Sequence, residues 1–361
     1  MIKYILIFFV IGIVILLWYD RLATIRFANN RAHVAPLYCK LFVRGERMRG
    51  PVIFIPGTKG STLAVGGSTL WLRVRDLLGG GAPFVYNGLG ADPTGLLTRL
   101  AIVPGIFEYK PYQKIVARLA CGEGAYFYSY DWRRSPIDNA VGLGTLVDRV
   151  QNETGQKPSI IAHSMGGLIT HYYMKSNADK INRLVYVGVP FQPGVSFLED
   201  IDKGSPVGLN KTILSREALF SHPGSFALLP HTGSTAYKNA DLMNPGTWKE
   251  NKLSVYAAGG ESDDVLGQNL SQARRLFTDL DSSMRMNNEF LFIIGNCQDI
   301  LAAIGADGIN AFKPGDTRVV AEGALPVEQA ELRKTIMYSC AKHDALLSDI
   351  KVLESIQTFL Q

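Results

Sequence analysis

The sequence predicts an α/β fold, with a mostly parallel central sheet, helices on both faces and cap insertions. Three observations predict it. Short apolar runs recur along the chain, each followed by residues at helical spacing. A serine stands between small residues where one of those runs gives way to a helix. Two long stretches rich in Gly and Pro, at about 58–105 and 190–250, interrupt the alternation as insertions do.

Taken in order, residues 51–57 form an apolar run closed by Pro56-Gly57, the pattern of a buried strand and a sharp turn. Residues 112–119 have helical spacing, and 126–130 read as an aromatic strand. Leu143, Leu146, Val147 and Val150 make a helix stripe. Residues 159–162 are a buried strand ending at Ser164, 165–174 continue as a helix, and 184–187 form the next strand. Strand-like runs return at 253–257, 290–294 and 335–338. Leu346, Ile350, Leu353, Ile356 and Leu360 line a closing amphipathic helix.

The 361 residues suit one core with insertions, and a hydrophobic share of 47% is enough to bury it. The net charge of +5 is spread along the chain. Nucleic acid is a poor partner for it, since phosphate binding needs a clustered basic footprint. The four cysteines form no zinc-type pattern, and neither a metal nor a cofactor is implied. Cys297 and Cys340 could pair, but spacing does not establish it.

From Tyr4 to Tyr19 there is no charge; Lys3 precedes the run, and Asp20 and Arg21 follow it. Residues 1–20 are therefore expected to be an uncleaved signal-anchor with interfacial Trp18 and Tyr19, making a single-pass membrane protein. The alternative is a removed signal peptide and a secreted or periplasmic protein. Residues 21–50 read as a juxtamembrane linker, and 51–361 as the catalytic domain.

Ala162-His163-Ser164-Met165-Gly166 is a nucleophile elbow. The turn is so tight that the residues two before and two after the serine must be small. It lifts the hydroxyl to a helix N-terminus, and the resulting expectation is an α/β-hydrolase fold. The base must follow in the chain, which leaves His222, His231 and His343 of the six histidines. His343 lies between a late strand and the final helix, where this fold presents its base. His222 and His231 fall in the second insertion and read as surface or lid residues. For the acid, Asp316 in a turn before an apolar pair competes closely with Asp263 and Asp264. The oxyanion donors are expected to be the amides of Thr58, after the first strand, and Met165, after the nucleophile.

These segments together resemble the lecithin:cholesterol acyltransferase family. The residues 55–63 look like its V-P-G-x-x-G-S-x-L opening, Tyr130-Asp131-Trp132-Arg133 matches Y-D-W-R, and 162–166 match its A-H-S-M-G elbow. Leu70-Trp71-Leu72, Val85-Tyr86-Asn87, Gly188-Val189-Pro190 and Leu228-Leu229-Pro230 look like further family segments. Gly315-Asp316 followed by Val319 resembles its G-D-x-T-V turn, although Thr317-Arg318 stands where x-Thr is expected. The resemblance thus selects Asp316 over Asp263 and Asp264. The first insertion lacks the paired cysteines of the animal enzymes, and the compact form suggests a bacterial member. The resemblance implies a serine acyl-ester hydrolase or O-acyltransferase working through an acyl-enzyme on a lipid at a membrane surface. The other readings are a carboxylesterase on small soluble esters and a membrane-tethered scaffold without catalysis.

Overall fold

The computed structural model describes residues 2–43, 50–79, 81–231, 236–260, 262–281, 287–327 and 332–361, with side chains from residue 10 onward. Its centre is a six-stranded sheet. The strands are β1 (Val52–Ile55), β2 (Ala125–Phe127), β3 (Ser159–His163), β4 (Arg183–Val187), β5 (Glu289–Gly295) and β6 (Arg333–Ser339). They lie in the order β2-β1-β3-β4-β5-β6, and every pairing is parallel. The order reverses between β1 and β3, and the crevice beyond the carboxyl ends of such a pair is where open α/β sheets bind ligands.

Helices cover both faces: α1 (Ile2–Ala23) precedes the sheet, and α2 (Gln113–Ala120), α3 (Pro136–Thr154), α4 (Met165–Asn177), α5 (Asp263–Asp281) and α6 (Ile350–Leu360) follow in turn. Alternate strand residues divide the core, because successive side chains point to opposite faces. Ile53, Ile160, Leu184 and Phe290 pack with Leu143 and Val147 of α3 and Leu168 of α4. Phe54, Ile161, Val185 and Leu291 pack with Ile115 of α2 and Val352 and Ile356 of α6. The ends of α3 follow from its sequence. Ser135 accepts from the Ile137 N–H, Pro136 takes the first turn, and Gly155 closes it in the left-handed region.

The insertions form local structure of their own. Ser61–Val65 pairs with Ser68–Trp71 and Asp92–Leu96, and Leu100–Val103 forms a hairpin with Phe107–Tyr109. The expected strand over 253–257 is instead a tight 3-10 segment, Ser254–Ala258. The reason is local: the Ser254 N–H donates to Asp202 and its hydroxyl to the Ile201 carbonyl, so this backbone braces the second insertion rather than pairing in the sheet.

The expected single-pass anchor over 1–20 gains no support. Among the described residues no helix is long and apolar enough to cross a membrane, and residues 1–9 of the expected span lie outside the described side chains. The end of α1 leans on the domain. Ala23 is buried, Asp20 pairs with Arg99 at 2.7 Å, and Lys110 donates to the Tyr19 hydroxyl. Residues 24–43, read as linker, also hold structure. Arg26–Ala28 and Arg31–His33 form a hairpin, and Cys39 is disulfide-bonded to Cys121 at the end of α2. Cys297 and Cys340 form a second disulfide.

Leu143 is wholly buried between α3 and the sheet. Leu143→Ala is expected to cost about 2–5 kcal/mol by lost burial and cavity formation. Urea unfolding measures it, and a loss below about 0.5 kcal/mol would contradict this packing.

Candidate active site

β3 delivers Ser164 directly to the first turn of α4. Its backbone lies at φ 52°, ψ −128°, in a region that costs energy for a side-chain-bearing residue. Two backbone bonds hold the turn: Ser164 N–H to the Val187 carbonyl at 3.0 Å and Gly167 N–H to the Ser164 carbonyl at 2.8 Å. Glycine at 166 is a steric necessity, since a Cβ there would lie 2.4 Å from the Pro56 carbonyl oxygen. Ser164 Oγ is buried and has no hydrogen-bond partner among the described residues. A hydroxyl left uncommitted at a strained elbow is available for chemistry.

Asp316 and His343 meet nearby. His343 Nδ1 and Asp316 Oδ2 are 2.7 Å apart, both side chains buried. The other carboxylate oxygen accepts the amides of Arg318 and Val319 at 3.0 and 2.7 Å, so the turn itself aims Asp316. Burial pushes the Asp316 carboxyl up, but the His343 charge and hydrogen bond and the two amides outweigh it, and its pKa lies below the usual aspartate value. The pair is carried to the serine by Gly188, the residue after β4. A Cβ on Gly188 would lie 2.9 Å from Asp316 Oδ2 and 3.2 Å from His343 Nδ1, while the Val187 carbonyl before it holds the Ser164 amide.

Ser164 and His343 both line a cavity of about 480 Å³, as does Thr58. Met165, fully buried, begins α4. Asp263 and Asp264 sit elsewhere, in the first turn of α5. The cavity lining includes the apolar residues Trp71, Leu72, Leu77, Leu97 and Leu228. It also holds a polar cluster. There Lys59 donates to Ser205 Oγ at 2.9 Å, and Arg318 pairs with Asp200 at 2.6 Å, 3.7 Å from the Lys59 ammonium. Burial holds Lys59 below the usual lysine value.

Several roles were not visible beforehand. His222, read as a surface or lid residue, is fully buried, ringed by Trp132 and Phe84, and its Nε2 donates to the Phe84 carbonyl at 2.7 Å. Burial pushes its pKa down to about 3, keeping it neutral. The aromatic neighbours lie far away in sequence, which is why composition alone misplaced it. His231 is partly exposed and stacks on Phe277. The Tyr130–Arg133 segment is structural. Arg133 grips Asp131 at 2.7 and 2.9 Å, Asp131 accepts the Ala91 amide, and the Tyr130 hydroxyl donates to the Pro56 carbonyl at 2.9 Å. Asp200 carried no motif, Lys59, His163 and Arg318 lay in motif segments that gave them no role at the cavity, and Tyr112 read only as the start of a helix.

Comparison with known proteins agrees with the family resemblance. The model of the lecithin:cholesterol acyltransferase family matches residues 122–279. An uncharacterized protein of Saccharomyces cerevisiae is 31% identical over 228 residues, 58% of this chain and 34% of that protein. Phospholipid:diacylglycerol acyltransferase 1 of Arabidopsis thaliana is 29% identical over 173 residues, 38% of this chain and 25% of that protein. The chain thus spans about a third and a quarter of these curated relatives. Among solved structures, a chain of the Tle4-Tli4 complex aligns with a TM-score of 0.55 at 12% identity, covering 88% of this chain and 99% of that one, a likeness of fold. The fold is that of the α/β-hydrolases.

The depressed Asp316 carboxyl has a consequence for stability. Its contribution is fully present above the ordinary carboxyl value of about 3.9 and is lost as pH falls through the lower folded value. Between pH 5 and pH 2 the wild type should therefore lose more unfolding free energy than Asp316→Asn. Urea melts across that range measure the difference, and parallel losses would show that this carboxylate is not part of the acid-labile set.

Proposed function

Since residues 122–279 are of the lecithin:cholesterol acyltransferase family, we propose that this chain is a serine-dependent acyl-ester hydrolase or O-acyltransferase acting on lipid. The observation that carries the proposal is a buried, unpartnered Ser164 hydroxyl sharing one cavity with a His343 imidazole already gripped by Asp316.

In this mechanism His343 takes the Ser164 proton as Oγ attacks the ester carbonyl. Asp316 fixes the ring with Nδ1 protonated and stabilises the imidazolium. The Thr58 and Met165 amides receive the negative oxygen of the tetrahedral intermediate. Collapse expels the alcohol, which takes the proton from His343 and leaves an acyl-Ser164 ester. Water or an alcohol acceptor, deprotonated by His343, then attacks that ester; the Ser164 Oγ–acyl bond breaks, Oγ takes the proton back from His343, and free acid or a new ester is released. The free Ser164 hydroxyl is consistent with a base contact that tightens only when substrate excludes water.

The cavity supports an amphiphilic substrate. Trp71, Leu72, Leu77 and Leu97 offer apolar surface to an acyl chain, and Lys59, Asp200, Ser205 and Arg318 offer polar groups to the remainder. A lipid substrate implies work at a membrane surface. The two disulfides favour an oxidising compartment, which supports the secreted or periplasmic localisation.

An activity-based fluorophosphonate probe is expected to label the wild type and to leave Ser164→Ala unlabelled, and labelling of another residue at the same rate would remove Ser164 from the mechanism. His343→Ala should lose about 10,000-fold or more in kcat while keeping its unfolding midpoint. Lipid mass spectrometry of membranes incubated with wild type and Ser164→Ala identifies donor and acceptor. Turnover indifferent to micelle formation would instead select a soluble ester.

A further inference from the structure

We propose that Tyr112 and His163 form a positioning relay that locks the loop carrying Thr58 to the loop carrying His343. The inference rests on the reading of Ser164, Thr58 and His343 given above.

The relay begins at Gly57. Its N–H donates to the Tyr112 hydroxyl at 2.9 Å. A phenol that accepts this bond still has its own proton to give, and the acceptor in reach is His163 Nδ1 at 2.8 Å. That bond leaves Nδ1 bare and puts the imidazole proton on Nε2. Nε2 lies 3.2 Å from the backbone carbonyl oxygen of His343 and donates to it. The sequence of donors therefore runs one way, from Gly57 through Tyr112 and His163 to residue 343.

Tyr112, His163 and His343 are each about 5% exposed, so water does not compete for these bonds. Burial keeps both intermediate side chains neutral, raising Tyr112 and lowering His163 to about 3. The relay's ends are the two loops that must agree about the serine. Gly57 precedes Thr58, and a Cβ on Gly57 would lie 2.7 Å from the Ser164 Cβ. Because the Gly57 amide is committed to Tyr112, it is not free to be an oxyanion donor, and the peptide immediately before the one that carries the Thr58 N–H is held in place. At the other end the His163 ring faces the His343 ring with centroids 4.7 Å apart, and its Nε2–H holds the His343 backbone. His163 itself is the last residue of β3, adjacent to the nucleophile. One chain of three bonds thus spans the donor loop, the elbow and the base loop, with no atom exchanged with substrate.

Tyr112→Phe removes one oxygen and keeps the ring that packs edge-on against Phe54 and His163. With a p-nitrophenyl ester it is expected to lower kcat about 10- to 100-fold with KM within about threefold, as misplacement of reacting groups does. The fluorophosphonate labelling rate should fall by the same factor. His163→Gln should behave alike, and the double variant should be no slower than the slower single one, because both break one chain. Unchanged kcat, a raised KM with kcat intact, or strictly additive losses would overturn the relay. If Tyr112→Phe does not fold, His163→Gln is read by the same kcat, KM and labelling criteria. Ser164→Ala runs alongside. If it is inactive while Tyr112→Phe is as fast as wild type, the relay alone fails. If it keeps turnover and labelling, the reading of the nucleophile fails, and the relay with it.

Discussion

An added Cβ would lie 2.4 Å from the Pro56 carbonyl oxygen at Gly166, 2.7 Å from the Ser164 Cβ at Gly57 and 2.9 Å from Asp316 Oδ2 at Gly188. These three contacts describe one constraint. The turns after β1, β3 and β4 come so close to Pro56, Ser164 and Asp316 that no added Cβ fits at these three positions. Everything else at the site depends on that approach, since it sets how near Thr58 comes to the elbow and how near the Asp316–His343 pair comes to the strand end. Ser164, Asp316 and His343 are all buried, so the polar contacts among these groups act in a low dielectric.

Around this crowded centre the polar groups divide their tasks by commitment. Asp316 spends one oxygen on two backbone amides and the other on His343. Asp131 and Arg133 spend themselves on each other and on the residue 91 amide, pinning the first insertion to the end of β2. Tyr130 fixes the Pro56 carbonyl, and so the turn that the elbow presses against. The Ser164 hydroxyl alone among these is left uncommitted. The cavity lining draws Lys59, Trp71, Leu72, Leu77 and Leu97 from the first insertion and Asp200, Ser205 and Leu228 from the second. Both insertions therefore shape what can reach the serine.

What the sequence disclosed follows from the range of the interactions involved. The sheet and its helices were legible because hydrophobic periodicity is local, and the stripe at Leu143, Leu146, Val147 and Val150 does face the core. Ser164 was nominated because an elbow needs small residues at fixed offsets, and His343 because the fold orders its parts along the chain; both line one cavity. Asp316 could not be separated from Asp263 and Asp264 by local pattern, since all three suit turns; only family resemblance selected it. Tyr112 bonds to a histidine 51 positions away, and no offset encodes that. His222 was misplaced because Gly and Pro around it suggest surface, whereas its aromatic partners come from the first insertion and the end of β2. Ser254 stopped a β-branched, aromatic run from becoming a strand by bonding residues 52 and 53 positions earlier.

Residues 24–43, within the segment between α1 and β1, are tied to the body. Phe127 donates its amide to the Asn30 carbonyl, the Arg31 guanidinium lies over the Tyr126 ring at 3.4 Å, and a disulfide staples residue 39 to 121. Where α1 leaves the body, the Ala23 carbonyl accepts from Gln113 at 3.1 Å. The carboxyl end of the helix is thus held against the body by Asp20, Tyr19 and Ala23. A pull on that end is passed straight into the domain that carries the cavity.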